Sequence, residues 1–242
     1  MNVEIWSDVV CPWCYIGKRR FEAALEQFPH RDEVTVTYRS FELDPRKAQN
    51  SDGTLNEHLA RKLGVSIQQA ARMNARVAGL AAEVGLDYHL DIARPSNTFD
   101  AHRLIHLGAA HGVQGAVKER LMRAYFTEGA PVGETDTLVK LAAEVGLDTD
   151  EARATLESDA YAEDVRDDEH RAAEFGITGV PFYVLDEQYG VSGAQPTEFF
   201  LEALQTTWKA SHPLTMISPV TAGGGGGDES DANACTDESC EV

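Results

Sequence analysis

Val3-Glu4-Ile5-Trp6-Ser7-Asp8-Val9-Val10-Cys11-Pro12-Trp13-Cys14-Tyr15-Ile16-Gly17 carries the strongest structural signal in this chain. Val3 to Ser7 has the composition of a short buried strand. After the two cysteines, Phe21, Leu25 and Phe28 recur at helical spacing until Pro29 stops the pattern. Cys11 is therefore placed at a helix N-terminus. Val34-Thr35-Val36-Thr37-Tyr38 is β-branched and alternating, so a second strand follows and closes a βαβ unit with parallel strands.

Outward from that unit, the pattern from about Thr54 to Gly176 is helical, with capping-box starts at Thr54…Glu57 and Ser66…Gln69. Leu-Ala-Ala-Glu-Val-Gly-Leu-Asp occurs at Leu80–Asp87 and again at Leu141–Asp148, with a near copy ending at Gly176-Ile177. Helix-end chemistry explains the recurrence: glycine takes the left-handed position and the following Leu or Ile folds back onto the last turn. Val180–Leu185 and Tyr189–Ser192 then read as a hairpin turning at Asp186-Glu187-Gln188, followed by a helix from Thr197. The reading is an α/β thioredoxin fold, β-α-β … β-β-α, carrying a large inserted all-helical subdomain. Residues 1–45 and 177–212 are assigned to the core and 46–176 to the insertion. Residues 213–242 form a Gly-rich acidic tail that is expected to be disordered.

The two-residue spacing of Cys11-Pro12-Trp13-Cys14 lets the sulfurs approach within disulfide reach on the first turn of a helix. Exposed backbone N–H groups and the helix dipole favour negative charge at the first sulfur, which makes Cys11 the nucleophile. Cys14, one turn inside and less exposed, is the resolving thiol. Pro12 suits the first helical position, and Trp13 offers an aromatic surface beside the reactive sulfur. The same spacing serves zinc sites, but no second close Cys or His pair lies in the folded region at zinc-like spacing.

These features, together with Gly179-Val180-Pro181-Phe182 and the long helical insertion, resemble the DsbA family of thioredoxin-like oxidoreductases over Val3 to Ala210. Phe41-Glu42-Leu43-Asp44-Pro45 and Asn97-Thr98-Phe99-Asp100-Ala101-His102-Arg103 are similar to its FrnE-like branch, related to 2-hydroxychromene-2-carboxylate isomerases. The resemblance implies a cis Pro181 facing the cysteine pair and a Val180 backbone that pairs with an extended substrate; the alternative is an ordinary trans proline at a strand start. The activity implied is a disulfide oxidoreductase or isomerase acting on protein disulfides. It needs no bound cofactor and is served by a cellular thiol such as glutathione. Strongly oxidising members carry histidine between the cysteines where Trp13 stands here, so a lower reduction potential is expected. A second implication is glutathione-dependent isomerisation of small aromatic compounds, weakened because those isomerases have serine at the position of Cys11.

The tail pair Cys235…Cys240 has three readings: a second redox pair exchanging with Cys11, a soft-metal site with Asp237 and Glu238, or an incidental pair. The metal reading supports a thiol-based chaperone or heavy-metal-binding protein as a non-enzymatic alternative. Asn97-Thr98 either caps a helix or flanks the active centre, and His102 and His106 either hold a metal or form a polar helix face. With 40 acidic and 21 basic residues the net charge is −19, which argues against nucleic acid or anionic lipid as partner. The first residues lack the basic and long apolar runs of a secretory signal, so a cytoplasmic setting is expected. A hydrophobic fraction of 43% permits a core without structural disulfides.

Overall fold

The computed structural model describes residues 1–49 and 53–213. β1 (Asn2–Ser7) leads into α1 (Pro12–Gln27), and β2 (Thr35–Ser40) returns parallel to β1, with Val3 opposite Val36 and Ile5 opposite Tyr38. β2 runs two residues beyond the expected end, because Arg39 and Ser40 still pair with Trp6 and Ser7. Among the described residues seven α-helices stand between β2 and the hairpin: α2 (Leu55–Leu63), α3 (Ile67–Ala82), α4 (Phe99–Ala110), α5 (Gln114–Phe126), α6 (Thr135–Glu144), α7 (Thr149–Glu157) and α8 (Ala162–Glu174). β3 (Phe182–Leu185), β4 (Tyr189–Ser192) and α9 (Thr197–Ser211) complete the chain of elements. The sheet order is β2-β1-β3-β4, with β3 antiparallel to both neighbours. This is a thioredoxin sheet with an all-helical insertion. Met1–His212 cohere as one compact unit. The tail expected to be disordered, with Cys235 and Cys240, lies outside the described residues.

Alternation along the central strands sends side chains to two cores. Val3, Ile5, Tyr183 and Leu185 pack with Phe21 of α1 and Phe200 and Leu204 of α9. Trp6 and Val184 face the other way, against Ala172 and Ile177, and the fully buried Trp6 donates Nε1–H to the Asp168 carbonyl at 2.8 Å. Glu4 shares that second face at a cost that ion pairing offsets. Burial raises its carboxyl, but hydrogen bonds from Arg171 and Arg39 outweigh this and hold it below the usual range.

Inside the insertion both capping boxes close. Thr54 accepts from the Glu57 N–H and Ser66 from the Gln69 N–H, and each partner side chain returns the bond. The recurring helix ends are Schellman caps: Leu86, Leu147 and Ile177 donate to Ala81, Ala142 and Ala172 at 3.0, 3.1 and 2.8 Å, behind glycines of positive φ. Asn97, rather than Thr98, satisfies the start of α4. Thr98 makes no side-chain cap, whereas Asn97 Oδ1 accepts the Phe99 N–H at 2.9 Å and its Nδ2 ties down the Lys47 carbonyl at 3.1 Å.

Arg103, in the same motif, is nearly fully buried and gathers the carbonyls left over where α7 ends. Its guanidinium donates to Thr155 and Ser158, to Ala160 at 2.8 Å and to Asp100 at 2.9 Å. A planar fork with five donors suits that task, and an ammonium does not. Arg103→Met should lower the unfolding free energy measured in urea by about 2–4 kcal/mol, with Arg103→Lys recovering less than half of the loss.

Candidate active site

After β1 the chain turns through Asp8, whose carbonyl accepts the Cys11 N–H at 3.2 Å, and Cys11 becomes the N-cap of α1. No side chain caps that end and no acidic residue stands in the first turn, so the positive end of the helix dipole is uncompensated there. Pro12 occupies the first helical position, and the Cys14 N–H reaches the Cys11 carbonyl at 3.1 Å. Both cysteines are free thiols.

Their exposure differs from expectation. Cys11 is only 3% exposed against 2% for Cys14, so accessibility does not separate them. Cys11 Sγ is drawn to the Val180 carbonyl at 3.6 Å, and both cysteines belong to the apolar cluster formed with Leu104 of α4 and Leu121 of α5. Trp13, 40% exposed, is the open side chain of the four. The Cys14 thiol is pushed well up, first by burial and then by its contact with Cys11.

The Val180–Pro181 peptide is cis, with Pro181 buried and Val180 half-buried beside the cysteines. Gly17 of α1 makes the close approach to this loop possible. A Cβ there would lie 2.6 Å from Tyr183 Oη and 3.2 Å from Pro181 Cγ. Tyr183 is fully buried and has no room to retreat. Gly17→Ala should cost about 1–3 kcal/mol in a denaturant melt, and it should slow thiol reactivity at the pair when assayed under folding conditions.

Insertion residues hold the Cys11–Cys14 turn from the other side. The Tyr88 hydroxyl donates to the Pro12 carbonyl at 2.8 Å, and its ring stacks on Phe126 at 4.5 Å. Glu119 of α5 accepts from Tyr15 at 2.5 Å, from Lys18 at 2.6 Å and from Arg19; these contacts, outweighing burial, bring its carboxyl down to about 2. Beneath the cysteines lies a buried polar group that sequence reasoning missed. Asp8 Oδ2 accepts the Leu43 N–H at 2.8 Å, and Oδ1 stands 3.5 Å from His102 Nε2. That separation is too loose and too poorly aligned for a hydrogen bond, and neither ring nitrogen of His102 has one. Burial pushes the imidazole down, so it is a neutral dipole beside Asp8 near pH 7. Against the burial that raises it, the Asp8 carboxyl is held low by His102, the Leu43 N–H and the Lys118 charge. His106 turns to a different carboxylate, Asp168, at 3.1 Å, so the two histidines do not converge.

Lys118 Nζ is fully buried, donates to the Ser7 carbonyl at 3.0 Å, and is brought down to about 8 by burial despite the nearby Cys14 and Asp8. A cleft of about 170 Å³ opens beside the turn, with Val10 and Pro12 in one wall and Leu43, Leu90 and Phe126 among its apolar lining. Thr98 lines it too, so this residue of the Asn97-Thr98 pair flanks the site although it does not cap the helix.

The pattern of the DSBA-like thioredoxin domain matches residues 2–205. The chain belongs to this family. A solved structure from Streptomyces coelicolor, described as a "probable DsbA oxidoreductase", is 46% identical, with a TM-score of 0.85 over 92% of this chain and 96% of that one. The cytosolic disulfide reductase DsbM of Pseudomonas aeruginosa, solved with glutathione, is 20% identical at a TM-score of 0.62, over 86% of this chain and all of that one. A 2-hydroxychromene-2-carboxylate isomerase is 15% identical at 0.63, over 87% of this chain and 98% of that one. The last two share the fold. Within the described residues no helix is long and apolar enough to cross a membrane.

The buried lysine of this DsbA-like chain gives a pH signature. Its folded value, about 8, lies below the ordinary 10.5, so between those pH values the unfolded chain binds more protons. Stability should therefore rise with pH across that window in the parent protein relative to Lys118→Met, by on the order of 3 kcal/mol. Urea melts of both proteins at pH 7, 8, 9 and 10 check this, and a flat difference would contradict it.

Proposed function

We propose that the chain is a thiol–disulfide oxidoreductase or disulfide isomerase acting on protein disulfides through Cys11 and Cys14. The observation that carries this reading is a pair of free thiols on the first turn of an uncapped helix N-terminus, beside the Val180–Pro181 turn. Family membership supports the reaction class, and a cytosolic relative solved with glutathione supports a thiol reductant and a cytoplasmic setting.

In the forward direction the Cys11 thiolate attacks one sulfur of a substrate disulfide. That S–S bond breaks, a Cys11–substrate bond forms, and the departing substrate sulfur takes up a proton. Cys14 then loses its proton and attacks Cys11 Sγ. The mixed disulfide breaks, the second substrate thiol leaves, and a Cys11–Cys14 bond remains, so two electrons have passed from the pair to the substrate. Two molecules of a thiol such as glutathione restore the dithiol and leave as one disulfide. When a substrate thiol resolves the intermediate instead of Cys14, the net result is isomerisation.

The high thiol value at Cys14 fits this order, because a protonated resolving cysteine gives the mixed disulfide time to form. Pro12, Trp13 and the Val180 backbone are proposed to contact the substrate, which would replace Cys11 at the Val180 carbonyl and add as an extended segment. Pro181 is proposed to hold the turn against the pair. Cys235 and Cys240 are proposed as a second redox pair that exchanges with the first. The apolar lining of the cleft beside Pro12 favours, as a second reading, glutathione-dependent isomerisation of a small aromatic compound.

Dithiothreitol-driven reduction of insulin tests the proposal. Cys11→Ser should abolish turnover, Cys14→Ser should accumulate a mixed disulfide visible on a non-reducing gel, and a chain ending at Ser211 should turn over several-fold more slowly. Full activity of the shortened chain would remove the tail pair. An inactive intact chain would move the assignment to the isomerase or metal-binding alternatives.

A further inference from the structure

Positive charge is scarce in a chain of net charge −19, and ten of its 21 lysines and arginines are held in ion pairs among the described residues. Lys18, Arg19, Arg39, Arg120 and Arg166 each hold a carboxylate. The cleft beside Pro12 gathers several of the others. Lys47, His58 and Lys62 line it, and the adjoining mouth adds Arg46 and Arg61, sharing Leu43, Asp44, His58 and Lys62 with the cleft. Lys47 Nζ donates to His58 Nε2 at 3.3 Å, so its hydrogen-bond partner is a neutral imidazole rather than a carboxylate. Among the described residues none of the four cations Arg46, Lys47, Arg61 and Lys62 is ion-paired. The lining also holds two carboxylates, Asp44 and Asp8, the latter accepting the Leu43 N–H, so the four cations outnumber them two to one.

Resting on the thiol–disulfide reading above, we propose that this cleft is an anion-binding subsite, in which Lys47, His58 and Lys62 seat a carboxylate carried by the disulfide substrate. The charge would lie near the reacting sulfur, since Val10 and Pro12, on either side of Cys11, line the same cleft as these basic groups. Burial keeps both Lys47 and His58 below their ordinary values, against the pull of Asp44 and with added repulsion from Lys62, so an anion seated here would favour their charged forms. An anion at this point would meet low-dielectric walls, where attraction is several times stronger than in bulk water. The carboxylate can come from a small disulfide or from an acidic side chain flanking a protein disulfide.

The subsite predicts charge selectivity that runs against the net charge of the molecule. Reduced full-length protein is mixed with dianionic 5,5′-dithiobis(2-nitrobenzoate), neutral 4,4′-dithiodipyridine and dicationic cystamine. Each second-order rate is normalised to the rate of free dithiothreitol with the same compound. The dianion should be favoured over the dication at least tenfold at low salt. Lys62→Glu, on an exposed position, and Lys47→Glu with Lys62→Glu should cut that ratio at least tenfold. A control with Lys140→Glu and Lys209→Glu, which line neither the cleft nor its mouth, changes net charge equally and should leave the ratio in place. An unchanged ratio in the cleft variants, or an equal fall in the control, overturns the subsite. Failure of all three disulfides to react with the intact protein overturns the thiol–disulfide reading itself. Peptide disulfides flanked by glutamate or by lysine identify the source: selectivity that carries over assigns the carboxylate to a protein side chain, and selectivity confined to small compounds assigns it to a low-molecular-weight disulfide.

Discussion

Cys11 stands at the N-cap of α1 and offers the helix no side-chain acceptor, so the N–H groups of the first turn and the dipole behind them remain available to a negative sulfur. An ordinary N-cap such as Ser, Thr or Asp would stabilise the helix by roughly 1 kcal/mol. The chain forgoes this and secures the helix by other means. Pro12 presets the backbone, Tyr88 holds the Pro12 carbonyl, and Glu119 gathers Tyr15, Lys18 and Arg19 one turn further on. Each of these substitutes leaves the sulfur end of the helix free.

Packing the redox turn into the insertion's apolar cluster has a second effect. With both cysteines almost equally buried, their chemistry is separated by electrostatics. Cys11 lies at the helix terminus, outside the regular backbone geometry, with the Val180 carbonyl as its partner. Cys14 lies inside the first turn, where burial and its neighbour's sulfur both oppose a thiolate, against the weaker pull of Lys118. The insertion is thus part of the pair's surroundings, since α4, α5 and Tyr88 pack around the turn.

How much of this was legible in the sequence follows from the range of the interaction involved. Signals carried by residues within one helical turn were readable: the βαβ start, Cys11 at the helix end, the boxes at Thr54 and Ser66, and the glycine ends at Gly85, Gly146 and Gly176. Interactions between distant segments were not. Lys118, Glu119 and Arg103 look like ordinary solvent-facing charges in a helical pattern; burial of Lys118 or Arg103 is fixed only when a strand end or another helix closes over it. The cap could be read only to the pair Asn97-Thr98, because both Asn and Thr are good acceptors and only the local backbone selects Asn97. The low exposure of Cys11 escaped for the same reason, since Val180 arrives 169 residues later.

Formal net charge therefore says little about the field at the cysteines. Most of the acidic surplus faces water, where screening acts over about 10 Å. Near the turn stand Lys118, which reaches the Ser7 carbonyl, and the basic cluster around Lys47 in the neighbouring cleft, together with Asp8, which accepts the Leu43 N–H. Buried charges act at lower effective dielectric than exposed ones, so a few of them outweigh a larger solvated surplus of opposite sign. A thiolate forming at the helix end thus meets a locally positive environment inside an acidic molecule. That arrangement accommodates the negative sulfur without making the whole surface sticky toward anions, and the proposed subsite would draw an anionic substrate to the cleft beside Pro12.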